Sequence, residues 1–107
     1  MDIKGLKAVL DSTGLPVVYH SFKSAGLQVK QPPYIIFYLK NSDNTGADNK
    51  VYYKQNHYNV ELYTNKKDIA TEQKIEDTFD KASIYYEKTE SYIDEEKMFD
   101  ILYEILI

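Results

Sequence analysis

The stretch Val51–Thr64, VYYKQNHYNVELYT, runs into a segment of a different period, and that change constrains the fold more than any other feature of the chain. From Tyr58 the residues alternate, with Tyr58, Val60 and Leu62 on one side and Asn59, Glu61 and Tyr63 on the other. A period of two sets one row against a core and turns the other towards water or a partner. From about Asp68, KDIATEQKIEDTFDKAS takes helical spacing. Ile75, Phe79 and Ala82 fall on one stripe and the charges fall elsewhere. A strand leading into an amphipathic helix predicts a small two-layer α+β domain.

The rest of the chain supplies elements before and after this unit. Residues 2–13 read as a short helix capped by Asp2, with Ile3, Leu6 and Leu10 on one face and Val9 beside them. Gly14 and Pro16 end it. Pro16–Phe22 reads as a strand, with Val18, His20 and Phe22 sharing a face. Residues 23–33 are a polar connection closed by Pro32 and Pro33. Tyr34–Leu39, YIIFYL, is apolar on both faces and reads as a central strand, one side under the helical layer and the other open to a partner subunit. Asn41–Asn49 is rich in Asn and Asp and reads as a loop. Lys50–Lys54 and Tyr58–Thr64 are two strands or one strand kinked at Gln55–Asn56. The second helix covers about Asp68–Ala82, Ile84–Lys88 is a further strand, and Thr89–Ser91 is a polar break. Met98–Ile107 suits a strand, with Phe99, Ile101, Tyr103, Ile105 and Ile107 in one row, although a helical stripe through Ile101, Leu102, Ile105 and Leu106 also fits.

At 107 residues the chain reads as one domain, residues 1–107, large enough to bury a core unaided. It has no Cys, which removes disulfides, thiolate nucleophiles and Cys-based zinc sites together. The net charge is −4, and all 13 basic residues are Lys. Arg is the preferred donor for bidentate phosphate and guanine contacts, so an acidic, Arg-free chain argues against a dedicated DNA reader. The first residues lack the pattern of a signal peptide, and no apolar run approaches the roughly 20 residues of a membrane span. A soluble protein made in the cytoplasm is expected. Eleven Tyr is a high count. Tyr favours strands and protein interfaces, which suits a strand-rich domain that meets other subunits.

Candidate chemistry is thin. Asn41–Gly46 has alternating oxygen ligands and a Gly at the sixth place of a calcium loop, but Tyr52 stands where a bidentate Glu is required. His20 and His57 are isolated from each other and from any ligand spacing. Glu87, Glu90, Asp94, Glu95 and Glu96 form an acidic run that reads as a solvated turn. Lys66 and Lys67 precede a helix N-terminus, where phosphate could bind, but Asp68 and Glu72 are already there. No nucleophile elbow or phosphate loop is present. No catalytic residue, metal or cofactor is expected.

The order of motifs resembles a known family. A short helix leads into Leu15-Pro16-Val17-Val18-Tyr19, then Pro32-Pro33-Tyr34-Ile35-Ile36-Phe37. An Asn/Asp-rich loop ends in Ala47-Asp48-Asn49, and Tyr58-Asn59-Val60-Glu61-Leu62-Tyr63-Thr64 and a helix bearing Glu72 and Ile75-Glu76 follow. A last strand carries Met98 and Leu102-Tyr103-Glu104. Along nearly its whole length the chain resembles the tail terminator, or tail-to-head joining, proteins of long-tailed phages and prophages of Gram-positive bacteria. The resemblance implies an α+β fold with a mostly antiparallel mixed sheet of four to six strands packed with two helices. It also implies a non-catalytic ring, usually a hexamer, that caps the tail tube and docks on the head completion or connector protein at the virion's tail-head junction. DNA would pass through the lumen without specific binding, helped by a negatively charged subunit whose Asn41–Asn49 or Glu87–Glu96 residues face it.

The expected subunit or partner contacts are Tyr34, Ile36 and Tyr38 on the two-sided strand, Asp43, Asn44 and Asp48 in the loop, and Tyr63. Two other readings compete. One is a monomeric α+β module that binds a protein by a strand edge or the Asn/Asp-rich loop. The other is a small enzyme using His57 with a carboxylate.

Overall fold

In a computed structural model, the chain folds as helix and short strand, then four strands, a helix, and a closing hairpin. The structure describes residues 1–47 and 49–107, with the side chains of all of these but 47, 52 and 53. The elements are α1 (Ile3–Asp11), β1 (Val17–Tyr19), β2 (Tyr34–Ser42), β3 (Thr45–Ala47), β4 (Lys50–Tyr53), β5 (Asn56–Thr64), α2 (Ile69–Lys81), β6 (Tyr86–Ile93) and β7 (Met98–Leu106). Five strands form one mixed sheet in the order β1-β2-β5-β7-β6, and β3 and β4 form a separate two-stranded sheet. Only β1–β2 is parallel; the other pairs are antiparallel. This is the expected α+β architecture.

The alternation in β5 decides which face of the sheet is core. Val60 and Leu62 are fully buried, and their neighbours across the ladders are Phe37 and Ile35 on β2 and Tyr103 and Ile101 on β7. Both helices lie on this face: Leu6 and Leu10 of α1 and Ile75 and Phe79 of α2 join the same cluster. Phe79 meets Tyr86 and Tyr103 with ring centroids 5.6 and 5.5 Å apart, which fixes α2 over β6 and β7. Each helix starts on an Asp. Asp2 accepts from the Gly5 N–H at 2.8 Å, and Asp68 accepts from the Thr71 N–H at 3.1 Å. Gly14, at φ +81°, then takes the left-handed turn that stops α1.

Several boundaries differ from the sequence expectation. The strand expected over Pro16–Phe22 stops at Tyr19 because His20 adopts φ 66° and turns the chain away. Phe22 therefore returns over the sheet from a turn, and His20 does not share a strand face with it. Ile3 is 40% exposed, since the first helical residue points past the core. The Asn/Asp-rich stretch Asn41–Asn49 is not all loop: Asn41 and Ser42 extend β2 beyond a register shift after Leu39, and Thr45–Ala47 form β3. The stretch 50–64 is two strands: β4 ends at Tyr53, and Tyr58–Thr64 lies in β5, which starts at Asn56.

The largest correction concerns β6. Thr89–Ser91 is no break but the middle of an eight-residue strand, and Ile84 is a core residue before it. The acidic run Glu87–Glu96 is divided accordingly, Glu87 and Glu90 in the strand and Asp94, Glu95 and Glu96 in the turn after it. A strand exposed along most of its length has no hydrophobic row for periodicity to detect; its pairing with β7 creates it. The C-terminal ambiguity resolves to strand β7.

The chain spans 49 × 30 × 24 Å, with a radius of gyration of 14.8 Å against the roughly 13 Å of a compact domain this long. Thr45, Lys50 and Val51 of the β3–β4 hairpin are exposed. Among the described residues no helix is long and apolar enough to cross a membrane.

Candidate assembly surface

The face of the sheet opposite the helices carries no layer of secondary structure among the described residues. Its rows follow from the register. Tyr34, Tyr63, Asp100 and Ser91 line up across the strands; Val18, Ile36, Glu61, Leu102 and Thr89 form the next row; Tyr38, Asn59, Glu104 and Glu87 form the third. A solvated sheet face ordinarily reads polar. This one mixes aromatic, aliphatic and acidic side chains, and most are half-buried by one another.

One corner is closed. The turn after β1 brings Phe22 edge-on to Tyr34, centroids 5.0 Å apart, and Tyr34 lies against Tyr63 at 5.2 Å. With Val18 these make a second, small core on the open side, so Tyr34 is only 6% exposed. Beyond it Ile36, Tyr38, Tyr63, Leu102 and Leu106 remain half-buried and accessible. The Tyr38 hydroxyl accepts from the Asn59 amide at 3.3 Å, and the Tyr63 hydroxyl donates to Glu61 at 3.3 Å. Burial, with the charges of Asp100 and Glu61, raises the Tyr63 phenol above its ordinary value.

The acidic centre of this face is the pair Glu61 and Asp100. Burial first, then the neighbouring Glu61 carboxylate, pushes Asp100 up to about 7 from the ordinary carboxylate range. Asp100 Oδ1 is enclosed and has no hydrogen-bond partner among the described residues. Lys40 reaches Glu104 at 3.4 Å across the same face.

On the helix side, a different polar cluster ties α2 to the strands. Glu72, 3% exposed, lies 2.8 Å from Lys67 and 2.7 Å from Lys88. Lys88 also reaches Glu76 at 2.7 Å, and Tyr103 donates to Glu76 at 2.8 Å. Burial works against the Glu76 charge, but the Lys88 and Tyr103 hydrogen bonds outweigh it and leave its carboxyl below the usual range. These groups are all engaged with each other, which is the arrangement of a structural ion network. Sequence reading found Lys67 and Glu72 separately; only the fold shows that Lys88 and Glu76 complete the cluster.

Of the expected contacts, Ile36, Tyr38 and Tyr63 lie together on the open face, and Tyr34 is held inside the Phe22 cluster. Asp43 and Asn44 lie exposed at the base of the β3–β4 hairpin, where Asp43 donates its N–H to the Gln55 carbonyl and Asn44 accepts from the Gln55 N–H. Asp48 lies outside the described residues. His57 sits 3.5 Å from Asp43, and the ring of His20 lies 6.5 Å from that of Tyr38. Among the described residues no group of three or more His, Asp or Glu is placed to hold a metal. A groove of about 660 Å³ between α1 and α2 is lined by Ala8, Val9 and Ala82 with Lys74, Asp77 and Lys81. It brings no histidine to a carboxylate.

Glu61, Asp100, Leu102 and Leu106 were not singled out from the sequence as contacts. Their signal was the second row of each strand, the residues that alternate with the core row. No protein-family model matches the chain, and no curated protein matches it.

Proposed function

We propose that the protein is a structural subunit of a phage tail, a tail terminator or head-tail joining protein that forms a ring on the end of the tail tube. The observation that carries this reading is the open sheet face, where Ile36, Tyr38, Tyr63, Leu102 and Leu106 stay accessible on a sheet whose other face holds the main core under both helices. Apolar and aromatic surface of this kind marks a protein contact. A ring places a different surface of the neighbouring copy on this face and closes by rotation. The exposed β3–β4 hairpin supplies a second contact, towards the tube or the head connector. The acidic turn Asp94–Glu96 and the net charge of −4 keep a passing duplex from sticking. In this reading no bond is made or broken.

The test is assembly with the cognate tail-tube protein, followed by light scattering and negative-stain imaging. The expected result is rings of the free protein, or rings capping tubes of limited length. A monomer that never joins a tube, and leaves tube growth unchanged, overturns the proposal. It would favour the binding-module reading.

A further inference from the structure

Among the described residues the outer edge of β6 is unpaired, because β6 is last in the order β1-β2-β5-β7-β6. The backbone groups it offers follow from hydrogen-bond parity. Asn56 and Ile107 exchange both of their backbone bonds at 3.0 Å, so the β5–β7 pairs in step with them, Tyr58–Ile105, Val60–Tyr103 and Leu62–Ile101, are the bonded pairs. On β7 the alternate residues, among them Leu102 and Glu104, turn their N–H and C=O to β6 and meet Thr89 and Glu87. The β6 groups that remain, those of Tyr86, Lys88, Glu90 and Tyr92, point outward.

The side-chain order along this edge is Tyr86-Glu87-Lys88-Thr89-Glu90-Ser91-Tyr92. Reversed about Thr89, it places Tyr on Tyr and Lys on Glu. We propose that β6 is a self-pairing edge: a second copy of this chain adds its own β6 antiparallel across a two-fold axis through Thr89, joining two five-stranded sheets into one.

In that register every outward-pointing residue meets an outward-pointing residue. Tyr86 faces Tyr92 of the second copy and Lys88 faces Glu90, in bonded pairs that supply about eight backbone hydrogen bonds. Thr89 faces Thr89 in an unbonded pair on the axis. A shift by two residues either way sets Lys88 on Lys88 or Glu90 on Glu90, and a shift by one leaves the outward groups without partners. Lys88 and Glu90 are already held, Lys88 by Glu72 and Glu76 and Glu90 by Lys67, so little side-chain freedom is lost on pairing. The contact uses neither the open sheet face nor the hairpin, and it does not rest on the ring reading. An isologous pair closes on itself. The competing account is that the charges on β6 guard the edge against pairing; it requires a monomer.

Sedimentation equilibrium of the full chain over a concentration series should show a reversible monomer–dimer equilibrium. Glu90→Lys should weaken the dimer roughly tenfold by setting like charges across the axis. Glu90→Pro should abolish it, and a thermal melt should show the fold retained, because the N–H it removes points away from β7. The chain has no Cys, so single thiols report the register. Thr89→Cys should oxidise to a disulfide dimer, since facing Cα atoms of an unbonded pair lie about 4.5 Å apart. Glu87→Cys and Ser91→Cys set their thiols about 13 Å apart and should not. A monomer at every concentration whose three thiol variants oxidise alike overturns the proposal. So does a dimer that survives Glu90→Pro, or faster cross-linking at either flanking site. Rings formed by Glu90→Pro protein would leave the assembly reading standing whatever becomes of the pair.

Discussion

Glu61 on β5 and Asp100 on β7 are diagonal neighbours on the open face of the sheet, Glu61 opposite Leu102 and Asp100 opposite Tyr63. Both are half-buried, and Lys40 on the same face pairs with Glu104 instead. Burial, with the Glu61 charge beside it, favours the protonated form of Asp100.

The pair makes stability depend on pH in a defined direction. Asp100 is raised to about 7 in the fold from its ordinary 3.8, so the folded state holds its proton where the unfolded chain releases it. The stabilisation from the protonated form is complete below about pH 4 and is lost as pH rises through 7. Water still reaches this face, so the amplitude is on the order of 1–2 kcal/mol rather than the full value of the shift. Melting curves should show the natural chain losing stability from pH 5 to pH 8 relative to Asp100→Asn. Parallel pH profiles for the two would disprove this coupling.

Asp68 carries the opposite sign. Its carboxylate accepts from the Thr71 hydroxyl and N–H, and these bonds hold it below the usual range. Its contribution is present above the ordinary carboxylate pKa and lost as pH falls through the lowered one. Asp68→Ala should cost about 1 kcal/mol at pH 7 by urea denaturation, and the difference from the natural chain should shrink towards pH 2.

The ion network on α2 should respond asymmetrically. Lys88→Met leaves Glu76 without its lysine and the buried Glu72 with Lys67 alone, and should cost about 2–3 kcal/mol. Glu72→Met leaves Lys67 with Glu90 and Lys88 with Glu76, and should fall within about 1 kcal/mol of the natural chain. Equal losses in a chemical denaturation series would show that the buried carboxylate itself stabilises the fold.

The open face should tolerate charge better than the core does. Ile36→Glu and Leu102→Glu, made singly, should each lower stability by about 1 kcal/mol and keep the natural circular dichroism spectrum. Both should fail to co-sediment with tail tubes. Phe79→Ala, on the packed side, should cost about 3–5 kcal/mol. Tube binding that persists in both open-face variants would remove that face from the assembly contact.

Local chemistry alone determined much of this protein. The row Tyr58-Val60-Leu62 announces a strand because a buried face imposes period two, Ile101-Tyr103-Ile105 suits one while leaving a helical stripe open, and Asp2 and Asp68 announce helix starts because unpaired N–H groups need acceptors. What only the tertiary structure decided are the features whose residues obey no local period. The second half of β6, from Thr89 to Ile93, is strand because β7 lies beside it, not because Thr89-Glu90-Ser91 favours extension. Phe22 leaves its strand because His20 turns the chain at φ 66° and Tyr34 offers a place to pack. The meeting of Glu61 with Asp100, and of Glu72 with Lys88, depends on which strand lies next to which. That order is set by burying the helix-side core as a whole, a long-range demand that no window of sequence contains.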